Sequence, residues 1–482
     1  MKRLSIIALL FMQMSIGSQE SQAYDVVIDG IYYNRIDATN FEVTCKDRNN
    51  NWNTYTGNVI IPSQVSYLGK TFDVTRIGED AFRNCYKMTS ITIPNSIKSI
   101  DSGAFYGLPG GELKGLRVNI KDIKAWCNIY FSGETSNPLC WGNRLFLNGS
   151  EVKQLDIPLN TELHEYVFDG CISIERVNFP RTLKKIPECA FADCTNLKSI
   201  SFRNGITEID IAAFSGCTSL SSVVLPDSLT TIGNSAFSGC VSLKSVSFKN
   251  NLSTIKKSAF GSCSSLTTLD LPESLQTIED GAFGGCINLS NTLIIPSNVV
   301  SIGAWAFIDA AKLKEVIIGN SVSKIDRFAF RDCSELSSVT IGENVKTIGN
   351  GAFSGCDKLY EIICLANYPP SCYNYYWDDA RKKTMTETDP PFDSNHYTWT
   401  DVYVPYGCKD IYKNTPNQRY YQNPWKDFIS IIEMQPTLID KIHSNEDRVE
   451  YFSIDGVRTD TPHKGINIIK MSDGTTKKVF IK

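Results

Sequence analysis

Sixteen cysteines and four histidines are the residues of this 482-residue chain best suited to redox chemistry, metal binding or nucleophilic catalysis. Nine of the cysteines obey one rule. Cys85, Cys171, Cys194, Cys217, Cys240, Cys263, Cys286, Cys333 and Cys356 each stand three residues after a phenylalanine, and Ala310 fills the same slot after Phe307. A slot that takes either Cys or Ala wants a small buried apolar group, so the spacing points to a structural ladder of reduced core thiols. Disulfides between successive cysteines are the alternative, because stacked units bring equivalent positions within bonding reach. Metal ligation fits poorly, since one cysteine per unit builds a line and offers no tetrahedral pocket. Cys127 and Cys140, outside the ladder, are the best pair for a local disulfide.

No catalytic constellation accompanies the thiols. His164, His396, His443 and His463 lie in distant segments, and the metalloprotease, nucleophile-elbow and phosphate-loop patterns are all missing. Carboxylates such as Asp227, Glu273 and Glu343 fall at exposed repeat positions, where they read as a solvated face. Asp378, Asp379 and Asp389 are too loosely spaced to resemble a calcium loop. The chain is therefore expected to be no enzyme and to hold no metal or other cofactor. A net charge of −4 makes no case for nucleic acid or an anionic membrane surface as partner.

The elements that position these side chains are set by a repeat. Cys217 to Phe237 reads CTSLSSVVLPDSLTTIGNSAF, and the pattern returns so that successive phenylalanines from Phe168 to Phe353 lie 23 residues apart, with one step of 24. A fixed period of this size means stacked supersecondary units. Val223 and Leu225 alternate with Ser222 and Val224, the signature of a strand with one buried face. Pro226 ends that strand for want of an N–H. Thr231-Ile232-Gly233 reads as a second short extended piece before a tight turn, and Ala236-Phe237 points inward. No single coil buries these side chains; stacking joins them into one core. The expected fold is a mostly β, right-handed solenoid of about 11–12 coils, roughly 55 Å long at the spacing of a sheet.

Along the chain, residues 1–23 carry a basic start, an apolar run and Ser21-x-Ala23, which reads as a secretory leader too short to span a membrane. The mature protein is expected to be secreted or at the cell surface, with no transmembrane span. Residues 24–73 read as an N-terminal β-cap over the open edge of the first coil. The solenoid is expected over 74–365, broken by an irregular insert at about 106–160. That insert reads as a short helix at 121–127, a hairpin turning at Asn148-Gly149 and a strand returning to the stack. Its Trp126, Tyr130, Phe131 and Trp141 form either a satellite core or a binding patch. An aromatic-rich cap follows over 366–435, and 436–482 reads as a linker and a small β-module.

Two surfaces are candidate binding sites. The outward row of the repeat strands, including Ser222, Ser245, Ser247, Thr268 and Asp270, is a lawn of short polar side chains suited to close approach of an extended partner or a glycan. The cap offers Tyr373, Tyr375, Tyr376, Trp377 and Trp399 on loops, where binding residues concentrate.

The unit L-x-x-V-x-L-P-x-S-L-x-x-I-G-x-x-A-F-x-x-C resembles the BspA-like leucine-rich repeat family of Bacteroidetes surface proteins, over about residues 24–435. The tail, with Tyr451, Asp455-Gly456, Arg458 and a later Lys464-Gly465-Ile466, is similar to short C-terminal modules related to sorting domains. This resemblance implies surface display and adhesion to host matrix, host cells or other bacteria. Glycan binding in support of polysaccharide uptake is the second expectation.

Overall fold

The computed structural model describes residues 23–47, 54–108, 115–373, 375–378, 383–386, 390–416 and 421–434, together with 450–453, 458–459, 465–470 and 476–481. The expected leader, apart from Ala23, and the expected linker lie outside the described residues.

Each regular coil contributes two short strands. The first, such as Ser222–Val224, buries its middle residue and turns its flanks outward. The second, such as Thr231–Ile232, buries its isoleucine. Stacked in parallel, the second strands form one ten-stranded ladder from Lys185–Ile186 to Tyr421–Gln422, in which only the last pairing is antiparallel. The first strands form a ladder in separate pieces, three of them C-terminal to residue 153.

Between the second strand and the next coil the chain reverses around the Ala-Phe pair. The residues two before and two after the phenylalanine take left-handed backbone, as in Ser235 (φ 54°) and Gly239 (φ 71°). That conformation explains why the latter slot holds Gly, Asn or Asp in most coils, since those residues tolerate positive φ best. The phenylalanine N–H donates to the alanine carbonyl of the next coil, 2.8 Å for both Phe214 to Ala236 and Phe237 to Ala259. The rings then stack in an unbroken column from Phe168 to Phe392, with centroids 5.1–5.5 Å apart. Every ring of this column is fully buried.

The stack comprises about 13 turns, more than the phenylalanine spacing alone counts. The irregular stretch hides a coil: Arg117–Ile120 pairs in parallel with Met88–Thr92, and Tyr130–Phe131 with Ser99–Ile100. Beyond residue 366, Asp401–Val404 and Ser430–Glu433 extend the first ladder, and Phe392 takes the ring position 39 residues after Phe353. The short helix is Ile123–Cys127, with the Asp122 carboxylate accepting the Lys124 and Ala125 N–H groups. The hairpin turns at Asn148-Gly149, pairing Leu147 with Ser150.

At the N-terminal end, Val26–Ile28, Ile31–Arg35 and Asn40–Thr44 pair antiparallel, and the last runs parallel to Lys70–Ile77. Tyr55 lies 4.7 Å from the Phe82 ring and closes that end of the core, its hydroxyl donating to the Thr44 carbonyl. The C-terminal segment forms a four-stranded antiparallel sheet of Glu450–Ser453, Arg458–Thr459, Gly465–Lys470 and Thr476–Ile481.

Candidate functional site

The cysteine ladder is built into the core. All nine thiols are fully buried, and none of the sixteen cysteines is in a disulfide. Cys127 and Cys140 are separate buried thiols, so the local disulfide expected between them is absent. Each regular ladder thiol donates to the phenylalanine carbonyl of the preceding coil: Cys194 to Phe168 at 3.2 Å, Cys217 to Phe191 at 3.3 Å, Cys240 to Phe214 at 3.3 Å. This donor role explains cysteine where alanine would also fit, and the spacing alone did not reveal it. Burial pushes the thiols of Cys85, Cys194, Cys217, Cys240, Cys263 and Cys286 up, Cys263 to about 12, which suppresses the nucleophilic thiolate.

His396 is equally absorbed by structure, while His443 and His463 lie outside the described residues. His396 is buried; its Nδ1 accepts the Asp393 N–H at 3.1 Å, so Nε2 carries the proton and donates to the Cys356 carbonyl at 2.9 Å. Among the described residues no three His, Cys, Asp or Glu side chains gather closely enough to hold a metal ion.

The outward row is open over its middle. Ser222 and Val224 lie beside Ser245 and Ser247 in register, and all four are exposed, Val224 by 60%. Thr268 and Asp270 continue the row in the next coil and are exposed too. There the ladder opens, because 268–270 joins no strand and the first ladder resumes only at Asn291–Ile295. Thr267, just before this segment, still donates to the Lys244 carbonyl and accepts from the Ser290 N–H, so the coil stays in the stack.

Further along, the row differs from its expected open character. Ile317, Thr340 and Ile363 occupy outward register positions yet are 2%, 0% and 7% exposed. Ile317 and Ile363 cluster with Leu365, and Ile294, Tyr403 and Met434 pack against them. Beside this cluster, carboxylates engage the hydroxyls of neighbouring strands, Thr292 to Glu315 at 2.8 Å and Ser338 to Glu361 at 2.6 Å. The accessible part of the row therefore ends near Thr292.

The aromatic segment divides between core and surface. Trp425 and Tyr412 are fully buried, with the Trp425 indole N–H donating to the Pro370 carbonyl at 2.9 Å. Trp399 is 47% exposed, and Tyr360 and Ile429, which directly precede the strands on either side of Asp401–Val404, are 53% and 71% exposed. Tyr373 ends the strand Ser371–Tyr373, and Tyr375, Tyr376 and Trp377 lie on Tyr375–Asp378, paired antiparallel with Lys383–Thr386. The side chains of these four lie outside the described residues. In the irregular coil, Trp126 and Phe131 are core, whereas Tyr130 and Trp141 are 57% and 45% exposed.

Comparison with known proteins matches the model of the BspA type leucine rich repeat region in six copies, over residues 58–135, 141–267 and 253–375. Among solved structures, a leucine-rich repeat protein from Bacteroides ovatus is 26% identical, the match covering 71% of this chain and 95% of that one with a TM-score of 0.46. The pneumococcal vaccine antigen PcpA is 18% identical over 82% and 96% of the two chains, with a TM-score of 0.43. A leucine-rich repeat protein from Eubacterium ventriosum is 20% identical over 69% and 88%, also with a TM-score of 0.43. No curated protein matches the chain.

Proposed function

The chain belongs to the BspA-type leucine-rich repeat family, and we propose that it is a non-catalytic recognition protein of the cell exterior that binds a protein partner along the outward row of its first ladder. The observation that carries this reading is the exposed stretch Ser222, Ser245, Ser247, Thr268 and Asp270. Its side chains are short, so a partner backbone can approach closely. The ten-stranded second ladder holds this surface rigid, which lowers the ordering loss on binding. The export expected from residues 1–23 supports display outside the cell, and adhesion to host matrix or to another cell is the role such display would serve.

The test is binding of the chain to arrays of host matrix proteins, host-cell surface proteins and glycans, with wild type beside the triple variant Ser245→Arg, Ser247→Arg, Thr268→Arg. Saturable protein binding abolished by the triple variant is the expected result. Unchanged binding by that variant refutes the assignment of the surface. One observation favours a second reading: Trp399 and Tyr360, exposed just before two paired strands, offer aromatic faces to sugar rings. Glycan binding lost in Trp399→Ala, with the arginine variant intact, would select it.

A further inference from the structure

Both ladders are interrupted at one place. The second ladder stops at Tyr130–Phe131 and resumes at Lys185–Ile186; the first stops with the hairpin at 144–151 and resumes at Gln154–Asp156. At this seam lies a cavity of about 560 Å³ whose walls include Glu134, Trp141, Arg144, Asp169, Asp193 and Thr195. That volume lies within the range of small-molecule and side-chain sites.

The chemistry of the walls is anionic. Asp169 follows the repeat phenylalanine Phe168, at a position held by Ser215, Ser238, Gly261 and Gly284 in regular coils. It is only 5% exposed, lines the cavity, and makes no ion pair among the described residues. The neighbouring Gly170 N–H, the one group that favours its charge, is shared with the Ala192 carbonyl, to which it donates at 2.8 Å. Burial, then the charges of Glu134 and Asp193, push the Asp169 carboxyl up to about 8. A buried carboxyl with one shared hydrogen-bond donor and no counter-charge is unfavourable unless something fills the role. Arg144 does not: its guanidinium is drawn to Glu151, 3.6 Å away, and pairs with none of the three carboxylates. A metal ion does not fit either, since among the described residues no group of these side chains is close enough to share one. Trp141 stands at the same cavity, 45% exposed and held at φ 67°, unusual for a bulky residue. An indole face beside carboxylates attracts organic cations.

We propose that the seam cavity binds an organic monocation, the ammonium or guanidinium of a lysyl or arginyl side chain or of a free amine, with Asp169 as the deep anchor, Glu134 and Asp193 as flanking anions and Trp141 as the aromatic wall. Such binding draws the Asp169 proton off into solvent as the cation takes its place. Proton release accompanies binding near neutral pH, and affinity rises toward pH 8. The surrounding groups that share this field are Glu134, Asp193, Cys140, Cys189 and, through Tyr166, Glu188. This site does not include the outward row, so it stands or falls apart from the surface proposed above.

The test is calorimetric titration of the full chain with N-acetyl-lysine methylamide, agmatine, cadaverine and the neutral N-acetyl-norleucine methylamide, in two buffers of different ionisation enthalpy. The cations are expected to bind saturably with proton release and the neutral probe at least about tenfold more weakly, the loss that follows removal of a charge-assisted hydrogen bond. Asp169→Asn is expected to lower cation affinity by a similar factor and to abolish the proton release. Trp141→Ala and Asp193→Asn, at exposed positions, are expected to weaken binding without changing the melting temperature, and they keep the test decisive should Asp169→Asn not fold. Tighter binding of the lysyl probe than of cadaverine assigns the site to a partner's side chain; the reverse assigns it to a free amine. Equal binding of the norleucine probe, no saturable binding by any cation, or wild-type affinity in both Trp141→Ala and Asp193→Asn overturns the proposal.

Discussion

Replacing Phe237 by alanine removes one ring from the middle of the core column. Phe237 is fully buried between Phe214, 5.4 Å away at 11°, and Phe260, 5.3 Å away at 3°. Loss of a buried phenylalanine side chain costs about 3–5 kcal/mol, because transfer energy is lost and a cavity remains. The upper part of that range applies here: a solenoid coil is held only by its two neighbours, and both contacts are cut at once. Phe105 is an internal control. It is equally buried but stacks on a single described ring, Phe82 at 5.1 Å. One ring contact fewer is worth about 0.5–1.5 kcal/mol, so Phe105→Ala is expected to destabilise less by that margin. Equilibrium urea unfolding followed by far-ultraviolet circular dichroism measures both. A loss below about 1 kcal/mol for Phe237→Ala, or a larger loss for Phe105→Ala, would refute the view that the ring column carries the core.

Three further outcomes are expected. Alanine at Gly233 places a Cβ 2.6 Å from the Asp210 carbonyl carbon and 2.8 Å from the Ile209 oxygen, backbone atoms that cannot swing aside. It should destabilise by about 1–3 kcal/mol, more than Gly239→Ala, whose Cβ meets only ordinary contact with the Gly216 backbone at 3.7 Å and which bears the positive φ; thermal melts compare the two. The folded chain holds thiol protons that the unfolded chain releases above the ordinary cysteine range, as Cys85 at about 11 and Cys263 at about 12 require. Stability is therefore fully present below the unfolded value near 9 and falls as pH rises from there toward 11 or 12; a flat urea midpoint from pH 8 to 11 contradicts this. Asp169, raised from 3.8 to about 8, acts in the same sense at lower pH, its contribution falling between about 4 and 8. Asp169→Asn should flatten the stability profile across that interval, and an unaltered slope would remove Asp169 as its source.

The period of 23 was enough to reach the solenoid from the residues alone. Each coil presents the same apolar set to the next, so the template for packing Phe237 is the neighbouring copy, and local sequence carries the long-range contact. The inward face, the two strands per coil and the burial of the cysteines all follow from that self-matching. What the repeat does not encode was illegible for the same reason. The irregular coil is held by contacts with no periodic signal, such as the Trp126 indole N–H on the Val167 carbonyl, 41 residues away. The register of Phe392 on Phe353 is set by a closing segment whose spacing breaks the rule. Likewise the outward row turns from short polar residues to Ile294, Ile317 and Ile363 along the sequence, but only the fold shows Leu365 and Met434 packing on that apolar end. The acidic cavity belongs wholly to tertiary structure: Glu134 and Trp141 come from one side of the break in the ladders, and Asp169 and Asp193 from two paired coils on the other side. Periodic sequence specifies its own neighbours; at a seam, only the folded chain decides which side chains share a wall.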